Sequence, residues 1–302
     1  MKSIARLATV LAIAPLALSL AAGAQASGVS RGYQDDCASG SKRHDGALQV
    51  VALTSDQRLI CFSERRPHKA RGIGYVQGLV TDERLVGIDF RVQDGSLYGV
   101  GNAGGIYTLD TLNATATLVN RLTVALSGTS FGVDFNPAAD RLRIVSDTGQ
   151  NLRHNVNMGG TTLQDDALDY PVAAMLNSVG PTALGITGSA YTNNDLVADT
   201  ATTLYALDTN LDQIAIQSPP NDGTLAATGK LGVDAQAVSG FDIYSILRDG
   251  VSVGAQAFAS LSLGDGRTAF YKVTLSTGKA TQRRAFAIDD QVIDIAIPLD
   301  QH

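Results

Sequence analysis

The 302-residue chain has no tryptophan, two cysteines and four histidines, and each scarcity narrows the chemistry open to it. His44, His68, His154 and His302 are scattered and form no HExxH pair, so a copper or zinc redox centre, which needs several imidazoles in one place, is disfavoured. The pattern GxSxG occurs at 28–32, 128–132 and 250–254, but no helical pattern follows any of the three, so none marks the strand–turn–helix elbow of a serine hydrolase. Cys37 and Cys61 lack the CxxC spacing of a metal pair. In an oxidising compartment they read as one disulfide, closing a 24-residue separation and stabilising by roughly 3 kcal/mol on the chain-entropy model. Long amphipathic helical windows are missing as well, whereas glycine is abundant at 31 residues. Many short strands joined by tight turns follow from that combination.

An excess of positive charge is also lacking. The formal net charge is −6. The N-terminus has the layout of an export signal: Lys2 and Arg6, an apolar run from Leu7 to Ala22, and a small-residue site at Ala24-Gln25-Ala26. The apolar run is short for a membrane anchor, and there is neither a twin-Arg pair nor a lipid-accepting cysteine at the cut. Cleavage after Ala26 leaves 21 basic against 29 acidic residues, a balance of −8. Nucleic acid and anionic membrane both need basic patches and are excluded as expected partners. The expectation is a secreted or periplasmic monomer with a signal peptide (1–26), an irregular polar leader (27–46) and one folded domain (47–302).

The stretch Phe131 to Asn155, FGVDFNPAADRLRIVSDTGQNLRHN, contains the repeating unit of that domain. An apolar strand runs to Phe135, a turn is built on Asn136, Pro137 and Asp140, a second strand follows, then a Ser-Asp-Thr-Gly turn and a third strand near Leu152. Related opening strands start near residues 85, 131, 183, 239 and 291, and the step from Gly87 to Gly132 is 45 residues. A period of 45 to 55 residues with about four strands per repeat is a propeller signature. The first unit, from Leu48, lacks an opening strand, whereas the last segment, VIDIAI, is an opening strand with no unit after it. The expected fold is therefore all-β: a single closed β-propeller of five blades, six being the alternative count, its first blade completed by the C-terminal strand. Closure of that kind removes exposed sheet edges. In the fourth unit, Leu207 to Gly223 reads as an inserted hairpin. Residues 167 to 182 form the one long connection without strand signals, with room for a short helix.

The central stretch DFNPAADRLRIVSDTGQNLR, together with GIDF, LYGVG, IYTLD, PPNDGTL and GFDI, resembles an exported bacterial family, domain of unknown function 4394, which is grouped with β-propellers. The resemblance covers roughly residues 80 to 298. It implies the fold and the exported location. It brings no activity, cofactor or catalytic residue.

Two groups of residues are candidates for chemistry. The opening strands repeat an acid at Asp89, Asp134, Asp242 and Asp294, with Thr187 at that place in the fourth unit. Near a propeller axis these carboxylates form a ring able to hold a hard cation such as calcium, or else act as pegs accepting backbone N–H groups; no other cofactor is expected. The second group is Asn136, Asp140, Arg141, Arg143, Asp147, Gln150, Asn151 and Arg153 in the central unit. Strand alternation puts Arg141 and Arg143 on one face, and three arginines among acids suit an anionic ligand or a network of inter-blade ion pairs. The reading preferred from sequence is a non-catalytic binding or scaffold module for an unknown protein or small polar ligand. A glycosidase-like hydrolase using the axial carboxylates, with or without calcium, is the alternative, weakened by the absence of tryptophan platforms.

Overall fold

A computed structural model describes residues 46–171, 180–197, 199–287 and 290–301. The expected signal peptide, the leader up to residue 45 and Cys37 lie outside the described residues, as do 172–179 in the long connection where a helix had room.

Twenty strands build five four-stranded antiparallel sheets. The first three are β1 (Gln49–Thr54), β2 (Arg58–Ser63) and β3 (Arg71–Tyr75). Blade 2 comprises β4 (Leu85–Phe90), β5 (Leu97–Gly101), β6 (Gly105–Leu109) and β7 (Ala116–Arg121). Blade 3 comprises β8 (Phe131–Asn136), β9 (Arg141–Ser146), β10 (Asn151–His154) and β11 (Thr162–Gln164). Blade 4 is β12 (Ile186–Tyr191), β13 (Leu204–Asp208), β14 (Gln213–Gln217) and β15 (Leu225–Lys230). Blade 5 is β16 (Ser239–Arg248), β17 (Val251–Ser262), β18 (Thr268–Val273) and β19 (Ala280–Ala285). The last strand, β20 (Val292–Ala296), lies beside β1, with Leu53 opposite Asp294 and Val51 opposite Ala296, so the C-terminus completes blade 1.

Burial falls outward along each blade. All six residues of β4 are buried, whereas β7, β15 and β19 are exposed over much of their length. The inner strands pack in the cyclic order β4, β8, β12, β16, β20 and back to β4. Both faces of each sheet meet a neighbouring blade, so the inner strands read as near-continuous apolar runs rather than alternating ones. The core is accordingly split into five apolar clusters, one per interface between blades. The interface of blades 5 and 1 is aromatic, with Phe62 edge-on to Phe270 and Phe286 at 5.1 and 5.0 Å between centroids. The interface of blades 3 and 4 has the fewest apolar residues of the five: Val145, Leu168, Ala183, Ile186, Ala206, Ala215 and Leu225, with Tyr170 against them.

Three sequence readings need correction. The segment expected as an inserted hairpin in the fourth unit is regular: β14 is the third strand of blade 4, paired with β13 and β15 throughout. Blade 5 is longer than its apolar pattern suggested, because the β16–β17 hairpin continues to Arg248 and Val251. Its far end alternates between exposed and half-buried, anchored where the Ser252 N–H donates to Asp195 Oδ2 at 2.9 Å. Finally, Thr187 does not take the place of the repeated acid. Inner-strand glycines Gly87, Gly132 and Gly240 each stand two residues before an Asp, and Gly188 in blade 4 stands two residues before Ala190. A bulge between Ile186 and Gly188 displaces Thr187, whose hydroxyl instead shares a 2.6 Å hydrogen bond with that of Ser239 in blade 5.

Candidate functional site

The axial acids act as pegs and also converge. The Phe135 N–H of blade 3 donates to Asp89 Oδ2 at 2.7 Å, and the Tyr191 N–H of blade 4 donates to Asp134 Oδ1 at 3.0 Å. The Ile297 N–H donates to Asp242 Oδ2 at 2.6 Å, and the Ile88 N–H donates to Asp294 Oδ2 at 2.8 Å. Each carboxylate thus ties its own inner strand to the next around the ring. At the same time, oxygens of Asp89, Asp134 and Asp242 all lie within 4.8 Å of one another. All four acids are buried, and no ion pair reaches them among the described residues. Burial, with the neighbouring carboxylates adding to it, pushes Asp89, Asp134 and Asp294 well above the ordinary carboxylate range. Burial raises Asp242 to about 7. Such a cluster stays neutral by keeping protons. Calcium asks for six to eight oxygens, and part of the set here is already committed to backbone N–H groups.

The second group divides in a way that the sequence did not reveal. On blade 3, Asp134, Arg143 and Arg153 stand opposite one another across β8, β9 and β10, and Asn136 stands opposite Arg141. This face of blade 3 is turned toward blade 4. Asn136, Arg141, Arg143 and Arg153 line a cavity of about 250 Å³ there, together with Ala139 and with Tyr191, Pro220 and Asn221 of blade 4. Asn151 stands behind it, accepting from Arg143 Nη1 at 2.7 Å and donating to the Pro220 carbonyl at 3.0 Å.

The remaining three hold loops. Asp140 is drawn to blade 2, accepting from Arg91 Nε at 2.7 Å and Nη2 at 2.5 Å, and the Arg91 guanidinium holds its carboxyl below the usual range. Asp147 accepts from the N–H and hydroxyl of Thr129 at 2.9 and 2.6 Å. Gln150 accepts from the Ser127 N–H and donates to the Ala125 carbonyl. Their place in the turns around the cavity unit, rather than in the cavity, follows from local geometry. Asn136 Oδ1 caps the N–H groups of Ala138 and Ala139, Asp140 takes a φ of 51°, and Gly149 closes the second turn at a φ of 83°.

Within the cavity the guanidinium groups differ in what they have left to give. Arg143, 3 % exposed, is almost fully engaged: Nη1 donates to Asn151 and to Asp165 Oδ2 at 2.7 Å, Nη2 to Asn221 Oδ1 at 2.9 Å, and Nε to the Tyr191 hydroxyl at 3.4 Å. Arg153 donates Nε to Asp165 Oδ1 at 2.9 Å, its side chain 36 % exposed. Arg141 donates Nη1 to the carbonyls of Ala139 and Asp140 and pairs with no carboxylate among the described residues. Nearby His154, 0 % exposed, bonds to Thr162 and Asn120, and its pKa is pushed down to about 4 by burial first and then by the Arg141 charge. Sequence reasoning missed Tyr191, Asp165, Pro220 and Asn221. The PPNDG turn was visible, but its arrival beside β9 depends on how blade 4 packs.

Five four-stranded sheets round one axis, the last strand closing the first sheet, define a five-bladed β-propeller. Over residues 58–296 the chain matches the family described as "Domain of unknown function (DUF4394)", and it belongs to that family. No curated protein matches it. Among solved structures, a protein from Lactobacillus plantarum aligns at 12 % identity over 83 % of this chain and 99 % of its own, with a TM-score of 0.42. Kuenenia stuttgartiensis hydrazine synthase aligns at 12 % identity over 70 % of this chain, with a TM-score of 0.36, and this chain spans 53 % of its length. An auxiliary nutrient binding protein from Bacteroides thetaiotaomicron aligns at 15 % identity over 78 % of this chain and 57 % of its own, with a TM-score of 0.38. Likenesses of this size carry no argument about activity.

Proposed function

We propose that the protein is an exported, non-catalytic binding module that holds a small polar ligand in the cleft between blades 3 and 4. One observation carries this. The interface with the fewest apolar residues is the one that buries Arg143, Asp165, Asn151 and Gln217. Filling it with apolar side chains would serve stability at least as well, because desolvating an ion pair costs several kcal/mol per ion. A polar network that leaves a cavity open at its edge is better suited to a ligand than to holding two blades together. The cavity volume, about 250 Å³, fits a small molecule rather than a protein surface.

The lining argues for binding over catalysis. It contains three guanidinium groups, two amides, a phenol, an alanine and a proline. Guanidinium groups keep their protons at all working pH values, and the one carboxylate beside them, Asp165, is engaged by both Arg143 and Arg153, so the lining offers no free general base. A hydrolase acting through the axial acids is less favoured, because Asp134, Asp242 and Asp294 are at most 3 % exposed and already serve backbone N–H groups.

The test is a thermal-shift screen of small polar metabolites on the wild type and on Ala139→Trp, which fills the cleft from an exposed turn position. Compounds that raise the melting temperature of the wild type and leave the variant unmoved support the reading. Hits that stabilise both proteins equally place the ligand elsewhere and refute it.

A further inference from the structure

Building on that reading, we infer that the ligand is a small organic dianion, with carboxylate or phosphate groups, clamped between the guanidinium forks of Arg141 and Arg153. The inference rests on which donors remain. Arg143 is nearly saturated and serves to position its neighbours. Arg153 uses only Nε, on Asp165, and its two terminal nitrogens have no partner among the described residues. Arg141 uses Nη1 on two carbonyls and leaves Nε and Nη2 open. Both side chains line the same cavity. Arg153 stands opposite Arg143, and Arg141 lies two residues along the same face, so the two forks are diagonal neighbours with Cα atoms roughly 7–8 Å apart. Two carboxylates separated by a few carbons, one on each planar fork, span that gap, and so does one dianionic phosphate with both forks turned onto it.

Charge complementarity fixes the count. Three guanidinium groups face one carboxylate, Asp165, which leaves the cavity with a net charge of +2 in a chain whose net charge is −6. The amides of Asn136 and Asn221, on opposite walls, suit hydroxyl or carbonyl groups between the charged ends.

The experiment is isothermal titration calorimetry at low and moderate salt with malate, glucose 6-phosphate, gluconate and glucose. The proteins are the wild type, the arginine variants Arg141→Ala and Arg153→Ala, Asn221→Ala to follow an uncharged ligand and, as a remote control, Arg248→Ala on the exposed hairpin. The expected result is binding of malate or glucose 6-phosphate, weaker gluconate and no glucose. Affinity should fall with salt and drop about 10- to 100-fold in each cleft arginine variant but not in Arg248→Ala. Malate against glucose 6-phosphate tells a carboxylate ligand from a phosphate one. If glucose binds best and Arg141→Ala leaves it untouched while Asn221→Ala weakens it, the dianion is wrong and the cleft stands. If no probe binds, or dianion binding ignores both cleft arginine variants, the dianion inference and the cleft reading fall together.

Discussion

Raising the pH from 6.5 to 8.5 should destabilise this protein by at least about 1 kcal/mol, and Asp134→Asn should reduce that loss. The axial acids hold protons in the folded state that they release on unfolding. A raised folded pKa gives stability that is full at low pH and is lost as pH rises through the folded value. Asp242, at about 7 against an ordinary 3.8, contributes a loss of about 1 kcal/mol over this interval. Asp89, Asp134 and Asp294 are raised well above the ordinary range and act in the same sense. Direct repulsion works the same way: two charges within 4.8 Å at an effective dielectric constant of 20 repel by roughly 3–4 kcal/mol. His154, held near 4 against 6.5 when unfolded, acts in the opposite sense, and because the unfolded imidazole is half protonated at pH 6.5 it offsets about 0.4 kcal/mol of the loss over this interval. Asp134 is the acid to change, because Asn keeps the Oδ1 acceptor for the Tyr191 N–H. The assay is guanidinium chloride unfolding at both pH values, with a chelator present, followed by circular dichroism because the chain has no tryptophan. The variant should show a smaller pH loss than the wild type. A wild type equally stable at both pH values, or a variant with the full wild-type slope, would refute the reasoning.

Four further outcomes are expected. Arg91→Ala removes the two-point contact to Asp140 and a third bond to Asp94 at 2.9 Å. It should cost about 2 kcal/mol in chemical denaturation; a change below about 0.5 kcal/mol, the level of a loose surface pair, contradicts this. Gly132→Ala would place a Cβ 2.5 Å from the Gly188 carbonyl carbon, in the backbone of the next blade, where no side chain can give way. A loss of about 3 kcal/mol or failure to fold is expected, and a melting temperature near wild type counts against the packing described. Ending the chain after Asp290 removes β20 and opens the ring, so the cooperative thermal transition should vanish; its survival would mean that closure is dispensable. Reduction should lower the melting temperature if Cys37 joins Cys61, a constraint of roughly 3 kcal/mol on the unfolded chain, and an unchanged melt would show that the thiols do not pair.

The blade count, the strand ladder and the joining of head to tail were all legible in the sequence. A repeat of 45 to 55 residues fixes the unit, and an opening strand left over at one end answers one missing at the other. Alternation alone put Arg141 and Arg143 on one face, since facing is a local property of an extended backbone. The regular third strand of blade 4 was misread because the turn PPNDG looked like an interruption, whereas β14 and β15 simply pair across it. For Thr187 the signal is in the sequence itself: the glycine two residues before each acid puts Ala190, not Thr187, at that place in the fourth unit.

What the sequence determined by itself was each element's character and the order in which elements follow. Only the tertiary structure decided which side chains meet across a blade boundary. Asp140 and Arg141 are adjacent in the chain, yet one turns to Arg91 of blade 2 and the other lines a cavity shared with blade 4. Asp165 reaches Arg143 and Arg153 from beyond the end of β11, and Asn221 reaches Arg143 from the turn between β14 and β15 of blade 4. The physical reason is that hydrogen bonding and alternation act within a sheet, over a few residues. The packing of one sheet on the next is set by the shape of both faces, which no short stretch of either contains.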